Sequence, residues 1–278
     1  MTTDYQDIRY AVDGAVARIT LNRPEVRNAQ SQRLLFEMDD AFTRAGDDPA
    51  VHVIVLAGAG DTFSAGHDLG SKQVRDDPSQ NPRPADLVGR YERVWRLYVD
   101  LGLKWRNLPK PTIAMVQGYC IFGGWMIATA MDLIVAADDA KFLASHFQYF
   151  SVPYDVPPRK AKELLFEFRF MPADEAREAG LVNRVVPRAR LEEETMALAR
   201  RIAQQDPFAL RLAKLSVNQA QDTMGYTTFI RGALQTYMVN AESGRRELTD
   251  GDETSRRRFA TVDRAVAYER ERGQRGGS

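Results

Sequence analysis

Two short segments hold residue types that could act on a substrate through the main chain. Thr62-Phe63-Ser64-Ala65-Gly66-His67-Asp68-Leu69-Gly70 follows the apolar run Val51 to Leu56. Gln117-Gly118-Tyr119-Cys120-Ile121-Phe122-Gly123-Gly124-Trp125-Met126 follows the run Thr112 to Val116. In each, a buried strand is predicted to enter a turn of small residues, where backbone N–H groups can come close to a ligand. Gly123 and Gly124 also stand at a predicted helix start, whose dipole favours negative charge. Two such turns facing one another would hold a developing oxyanion. By spacing alone, a pair of tight strand ends is the commoner meaning of short glycine motifs.

The elements around these turns alternate. Val16 to Leu21 is a β-rich run closed by Asn22-Arg23-Pro24, and apolar residues at Leu34, Leu35, Met38, Ala41 and Phe42 predict a helix from Ser31. Val51 to Leu56 reads as a strand buried on both faces. Gln73 to Pro84, polar and proline-bearing, reads as a mobile surface loop. A helix is predicted next, with Leu87, Tyr91, Val94, Trp95, Tyr98, Leu101 and Trp105 on one face. Thr112–Val116 and Leu133–Ala137 are further strands, with a helix over Gly123–Met131 between them. A helix over Ala173–Ala179, a strand over Val182–Val186 and a helix over Leu191–Ile202 follow. Asp206-Pro207 opens another helix as N-cap and first residue. Strands alternating with helices in this way predict an α/β fold.

Composition removes several classes. The chain of 278 residues carries 38 Lys+Arg against 38 Asp+Glu, so its formal charge of zero argues against a nucleic-acid or anionic-membrane binder. One cysteine, Cys120, allows no internal disulfide and points to a reducing, cytoplasmic setting. With only three histidines beside it, a His/Cys metal site is not expected. The first residues lack the pattern of a signal peptide, and the apolar stretch Tyr119 to Met131 is too short to span a bilayer. No Walker A, G-x-S-x-G or H-E-x-x-H motif is present.

Taken together, the motifs resemble the crotonase (enoyl-CoA hydratase/isomerase) superfamily. The resemblance rests on Asn22-Arg23-Pro24 with Asn28-Ala29, Phe63 to Leu69, Lys110 to Ala114, Gly118-Tyr119, Gly123-Gly124, Met131 to Ala136 and Ala176 to Val186. It runs in consistent order over about residues 8 to 245. It implies a spiral of ββα units forming two nearly perpendicular sheets over 1–205, and a C-terminal helical oligomerisation region over 206–278, with a charged tail from about 244. It also implies acyl-CoA thioester substrates, no separate cofactor or metal, and self-association as a trimer or dimer of trimers. The oxyanion donors implied are the backbone N–H groups of His67 and Gly123. Val26, Asn28, Ala65, Asp68, Leu69, Gly70 and Met126 are implied to line the CoA and substrate path.

The chain departs from the family at the proton-handling side chains. Hydratases of this type use two glutamates to place and activate a water; the corresponding positions here are Met126 and His146. Methionine cannot transfer a proton, whereas an imidazole can serve as a base near neutral pH. His146-Phe147 followed by Val152-Pro153-Tyr154-Asp155 is similar to the β-diketone hydrolases of the superfamily, which implies a His146–Asp155 pair activating water. The plainer alternative has His146 lining a pocket wall and Asp155 capping a turn. The expected chemistry is therefore hydration of a C=C bond with a non-standard base, or hydrolysis of a C–C bond in a β-keto system. A non-catalytic acyl-CoA-binding paralogue is the rival. Trp95, Tyr98, Trp105 and His52 are expected to pack, and Arg256-Arg257-Arg258 to be a solvated patch.

Overall fold

The computed structural model describes residues 5–246 and 262–269. In chain order the elements are β1 (Ile8–Asp13), β2 (Val16–Leu21), α1 (Gln32–Asp47), β3 (Val53–Gly58), α2 (Lys72–Asp76), α3 (Leu87–Val94), α4 (Leu101–Arg106), β4 (Thr112–Val116), β5 (Tyr119–Ile121), α5 (Gly123–Thr129), β6 (Leu133–Ala137), β7 (Lys141–Leu143), α6 (Val152–Asp155), α7 (Pro158–Glu167), β8 (Met171–Pro172), α8 (Ala173–Glu178), β9 (Arg184–Val186), α9 (Leu191–Ala203), α10 (Pro207–Thr223) and α11 (Tyr226–Arg246). A wider π-helical turn, Trp95–Asp100, joins α3 to α4. Residues 262–269 form one more helical stretch. The rest of the charged tail, with the Arg256-Arg257-Arg258 patch, lies outside the described residues.

The main sheet has the order β1-β2-β3-β4-β6-β9, parallel throughout except for the β1–β2 hairpin. β5, β7 and β8 form a second, smaller sheet. The apolar runs of β3 and β4 are buried on both faces, as their continuity predicts. Ile54, Leu56, Ala114 and Val116 meet Leu34, Leu35, Met38 and Phe42 of α1. Val53, Val55, Ala57, Ile113 and Met115 meet Met196, Leu198 and Ala199 of α9. The two-residue period of the strand thus feeds two cores at once.

Several helix starts follow directly from the sequence. Ser31 Oγ accepts from Leu34 N–H at 3.1 Å, and Asp206 Oδ1 accepts from Ala209 N–H at 2.7 Å. The segment read as a surface loop is more ordered than its composition predicts. Ser71 caps α2, Asp77 caps a 3-10 turn over Pro78–Gln80, and Asn81 Nδ2 reaches the Asp68 carbonyl at 2.9 Å. Short polar side chains that compete for the backbone have here built local turns. β3 begins two residues later than its apolar run, because Val51 closes a turn onto Asp48 and the His52 ring bonds the Ala203 carbonyl at 2.9 Å.

The C-terminal helices return to this core. Tyr226, Ile230, Leu234 and Met238 of α11 join the cluster that includes α1 and β4. α10 buries no residue and leaves Phe208, Leu212, Leu215 and Val217 exposed.

A buried ion pair fixes the loop after β3. The Arg23 guanidinium, 2% exposed, reaches Asp68 Oδ2 at 2.9 Å and Asp7 Oδ1 at 3.7 Å. Removing one partner of a buried pair leaves an uncompensated charge and costs about 3–5 kcal/mol. Arg23→Met is expected to lose stability of that order in chemical denaturation. A variant unfolding at the wild-type denaturant midpoint would show that the pair does not hold this loop.

Candidate active site

The parallel register of β3 beside β4 delivers both small-residue turns to the same, C-terminal end of the two strands. There the first turn is hydrogen-bonded on both sides. Toward the β2–α1 connection, Ala65 N–H donates to the Arg27 carbonyl, Gln30 N–H to the Gly66 carbonyl, and Asp68 N–H to the Gln30 carbonyl, all at 2.8–2.9 Å. Toward the second turn, Ser64 N–H donates to Tyr119 O at 3.1 Å and Ile121 N–H to Ser64 O at 3.0 Å.

Glycine is required where the two turns meet. Gly66 has φ +88°, and a Cβ there would lie 2.7 Å from the Ile121 carbonyl and 3.0 Å from Gly123 N. A Cβ on Gly123 would lie 2.6 Å from Gln30 Oε1 and 2.8 Å from both Cε1 and Nδ1 of His67. As the first residue of α5, Gly123 has no intrahelical acceptor for its N–H. Phe122, which precedes it, adopts φ +49°, an uncommon conformation for a non-glycine residue and one concentrated at functional sites.

The His67 ring lies against this junction. It stacks on Tyr98 with centroids 3.9 Å apart, and its Nε2 is 3.1 Å from Gln148 Oε1. Gln148 Nε2 donates to the Tyr237 hydroxyl at 2.9 Å. Four segments therefore meet: the β3 turn, the π turn, the stretch after β7, and α11. Sequence reasoning identified the His67 backbone but assigned no chemistry to its ring, and passed over Gln30, Gln148 and Tyr237. Each is a single polar residue outside any motif. The spacing from Leu87 to Trp105 predicts one uninterrupted helix, so the π turn that carries Tyr98, a feature that recurs at functional sites, was not marked either.

The implied substrate residues divide into those at the junction and those spent on the fold. Leu69 lines the cavity beside His67. Val26 is half-buried in a short 3-10 turn, Pro24–Val26. The N–H groups of Ala65 and Gly70 are taken by the Arg27 carbonyl and by Asp68 Oδ1. The Asn28 side chain is completely buried. Its amide donates to the carbonyls of Ala59, Thr62 and Phe63 and accepts from Arg23 N–H. Asp68 is likewise a brace. Burial alone would raise its carboxyl, but hydrogen bonds from Ser71, Gly70 and Arg23 hold it below the usual range. Met126 is buried and borders a void of about 10 Å³ with Gln30, Leu97, Tyr98 and Tyr149.

The expected His146–Asp155 pair is not formed. His146 Nε2 is 3.1 Å from Thr236 Oγ1 of α11, its ring meets Phe150 edge-on, and burial lowers its pKa. Asp155 Oδ2 accepts instead from Trp125 Nε1 at 2.7 Å and from Ser151 Oγ at 2.6 Å. It borders a different cavity of about 490 Å³, between the core and α10, which shares no lining residue with the His67 cavity. The short α6 turns the Asp155 carboxylate inward toward α5.

Comparison with known proteins gives a consistent outcome. The enoyl-CoA hydratase/isomerase family model matches residues 11–248. A Mycobacterium tuberculosis protein carrying the name enoyl-CoA hydratase EchA13 is 38% identical over 258 residues, which are 85% of this chain and 81% of its own length. A solved structure from Mycobacterium thermoresistibile, named as an enoyl-CoA hydratase, superposes with a TM-score of 0.80 at 43% identity. The match covers 87% of this chain and 99% of that one. An enoyl-CoA hydratase/isomerase from Xanthobacter autotrophicus matches with a TM-score of 0.80 at 32% identity over 98% of both chains.

Burial pushes the Asp155 carboxyl up from 3.8 to about 6, against the Ser151 and Trp125 hydrogen bonds, which lower it. Between those values the folded state binds more protons than the unfolded one, so this group's contribution to stability falls as pH rises. Asp155→Asn keeps an oxygen to accept the Trp125 bond and removes the titration. Denaturation from pH 4 to 7 is expected to show the stability difference moving in the variant's favour up to about pH 6, then levelling. A difference independent of pH would refute the assignment.

Proposed function

The chain belongs to the enoyl-CoA hydratase/isomerase family, and from that premise we propose that it adds water to the C=C bond of an enoyl-CoA, with a histidine in place of the two glutamates. The observation that carries this reading is the meeting of the two turns at Gly66 and Gly123, with the His67 imidazole against Gly123. The N–H groups of His67 and Gly123 are the proposed donors to the thioester oxygen as it gains enolate charge. Because these donors are main-chain groups, the residue at position 67 is free to carry an imidazole.

Between the two histidines, geometry favours His67 for the proton. With Gln148 Nε2 donating to Tyr237, Gln148 Oε1 accepts from His67 Nε2. In the neutral ring that leaves the Nδ1 lone pair on the edge facing Gly123. In this reading Nδ1 takes a proton from the attacking water as the water oxygen bonds the β-carbon, and the imidazolium then returns that proton to the α-carbon of the enolate. Gln148 orients the ring, the part a carboxylate plays in a triad. C–C hydrolysis by a His146–Asp155 pair has less support, since Asp155 is engaged by Trp125 and Ser151. A binding paralogue without turnover draws its support from Met126, buried where a hydratase has a glutamate.

Self-association as a trimer or a dimer of trimers is part of the proposal. Phe208, Leu212 and Leu215 of α10, 65%, 45% and 48% exposed, lie on one side of the helix and form the kind of face that self-association buries. A lone, buried Cys120 suits a reducing compartment, and no described helix is long and apolar enough to cross a membrane.

Two measurements test this reading. A positioned general base contributes about 10²–10⁴ in rate, so His67→Gln is expected to lower kcat by that order on a panel of enoyl-CoAs, with His146→Gln changing it only a few-fold. The reverse ranking would return the role to His146, and tight binding of CoA thioesters without turnover would favour the binding paralogue. Sedimentation at micromolar concentration is expected to give a trimer or hexamer; a monomer would contradict the assembly.

A further inference from the structure

Beside the His67 ring lies a cavity of about 140 Å³. His67, Tyr98 and Gln148 form one wall of it, and three guanidinium groups, Arg83, Arg90 and Arg93, contribute to the rest. The carboxylates nearby are committed elsewhere. Asp68 is held by Arg23 at 2.9 Å, and Glu242 of α11 takes Arg90 through both oxygens at 2.9 Å. That second pair ties α11 to α3 beside the cavity.

Arg93 is placed differently. It bonds the neutral Asn81 side chain, and its guanidinium carbon is 5.9 Å from the centre of the Tyr98 ring. Among the described residues Arg93 has no carboxylate partner, and its buried Nε has no hydrogen-bond acceptor. Arg83 adds a second guanidinium, donating to the Asp68 carbonyl at 2.8 Å. A buried N–H donor without an acceptor is costly, and a planar guanidinium is matched by the two oxygens of an anionic group.

We propose that this cavity receives an anionic oxygen group at the far end of the acyl chain, with Arg93 as its main anchor and Arg83 in support, so that the substrate is a CoA monothioester of a short unsaturated dicarboxylic acid. This rests on the acyl-CoA reading above. The cavity shares His67 with the proposed oxyanion site, which puts the arginines within a short acyl chain of the thioester carbonyl. Phosphates are the other anionic groups on such a substrate. They lie beyond the pantetheine arm, and the cavity is small beside the roughly 300–1,000 Å³ of pockets that take whole drug-sized ligands.

The test compares glutaconyl-CoA with trans-2-pentenoyl-CoA, which has the same chain length and a terminal methyl group. Affinity for each, and for free CoA, is measured by calorimetry, with kcat/KM wherever there is turnover. The wild type is expected to prefer glutaconyl-CoA by about 10- to 100-fold, the range for hydrogen bonds to a charged group. Arg93→Gln is expected to remove most of that preference. Arg83→Gln, at an exposed position and so little risk to folding, should reduce it by a smaller factor. Equal or better binding of pentenoyl-CoA by the wild type would overturn the inference and leave the acyl-CoA reading standing. So would an equal loss of affinity for free CoA and both thioesters in Arg93→Gln, which would assign the arginine to a CoA phosphate. Failure of the wild type to bind CoA or either thioester would overturn both readings.

Discussion

The packing of the two strand-end turns depends on how the β2–α1 connection is held. Asn28, fully buried, spends its amide on three carbonyls of the loop after β3, and Arg23 beside it neutralises Asp68 at the far end of the same loop. Main-chain carbonyls and a carboxylate are costly to bury unless satisfied. These two side chains satisfy them at the points where the chain must turn. The loop between is drawn against the second turn closely enough that glycine is needed on both sides of the contact. A site made of backbone N–H groups needs this rigidity, because an N–H cannot be reoriented by changing a rotamer.

A site of this kind separates binding charge from moving protons. The proposed oxyanion donors are main-chain groups and do not depend on side-chain identity, whereas proton transfer depends on which side chains reach the same space. At one of the two family positions for a proton carrier this chain has Met126, packed into the core beneath the turns. The imidazole proposed in its place, His67, comes from the turn after β3 itself. Its ring is fixed from two directions, by stacking on Tyr98 and by Gln148, so its orientation is set by tertiary packing and not by its own loop.

α11 completes the arrangement from the far end of the chain. Tyr237 holds Gln148, Thr236 holds His146, and Glu242 holds Arg90. On its other face Tyr226, Ile230 and Leu234 are buried in the core. The same helix therefore anchors itself by apolar burial and orients the polar groups around the cavity. The exposed apolar residues of the adjacent α10 stand apart from this role.

The sequence by itself determined the parts that depend on near neighbours. Continuous apolar runs marked β3 and β4, and Ser31 and Asp206 marked helix starts. Each is decided by residues a few positions apart, through capping and two-sided burial. The same locality made Gln73 to Pro84 read as a mobile surface loop, since its turns are built by single polar side chains that carry no periodicity. Which side chains meet was decided only by tertiary structure. His67 and Gln148 are 81 residues apart, and Gln148 and Tyr237 a further 89. Asp155, close to His146 along the chain, is turned by a four-residue helix toward Trp125. A hydrogen bond or stacked ring needs atoms within a few ångströms and at a suitable angle. Sequence spacing fixes that only within one element, so a pair bridging several elements exists only once the sheet, the π turn and α11 are assembled.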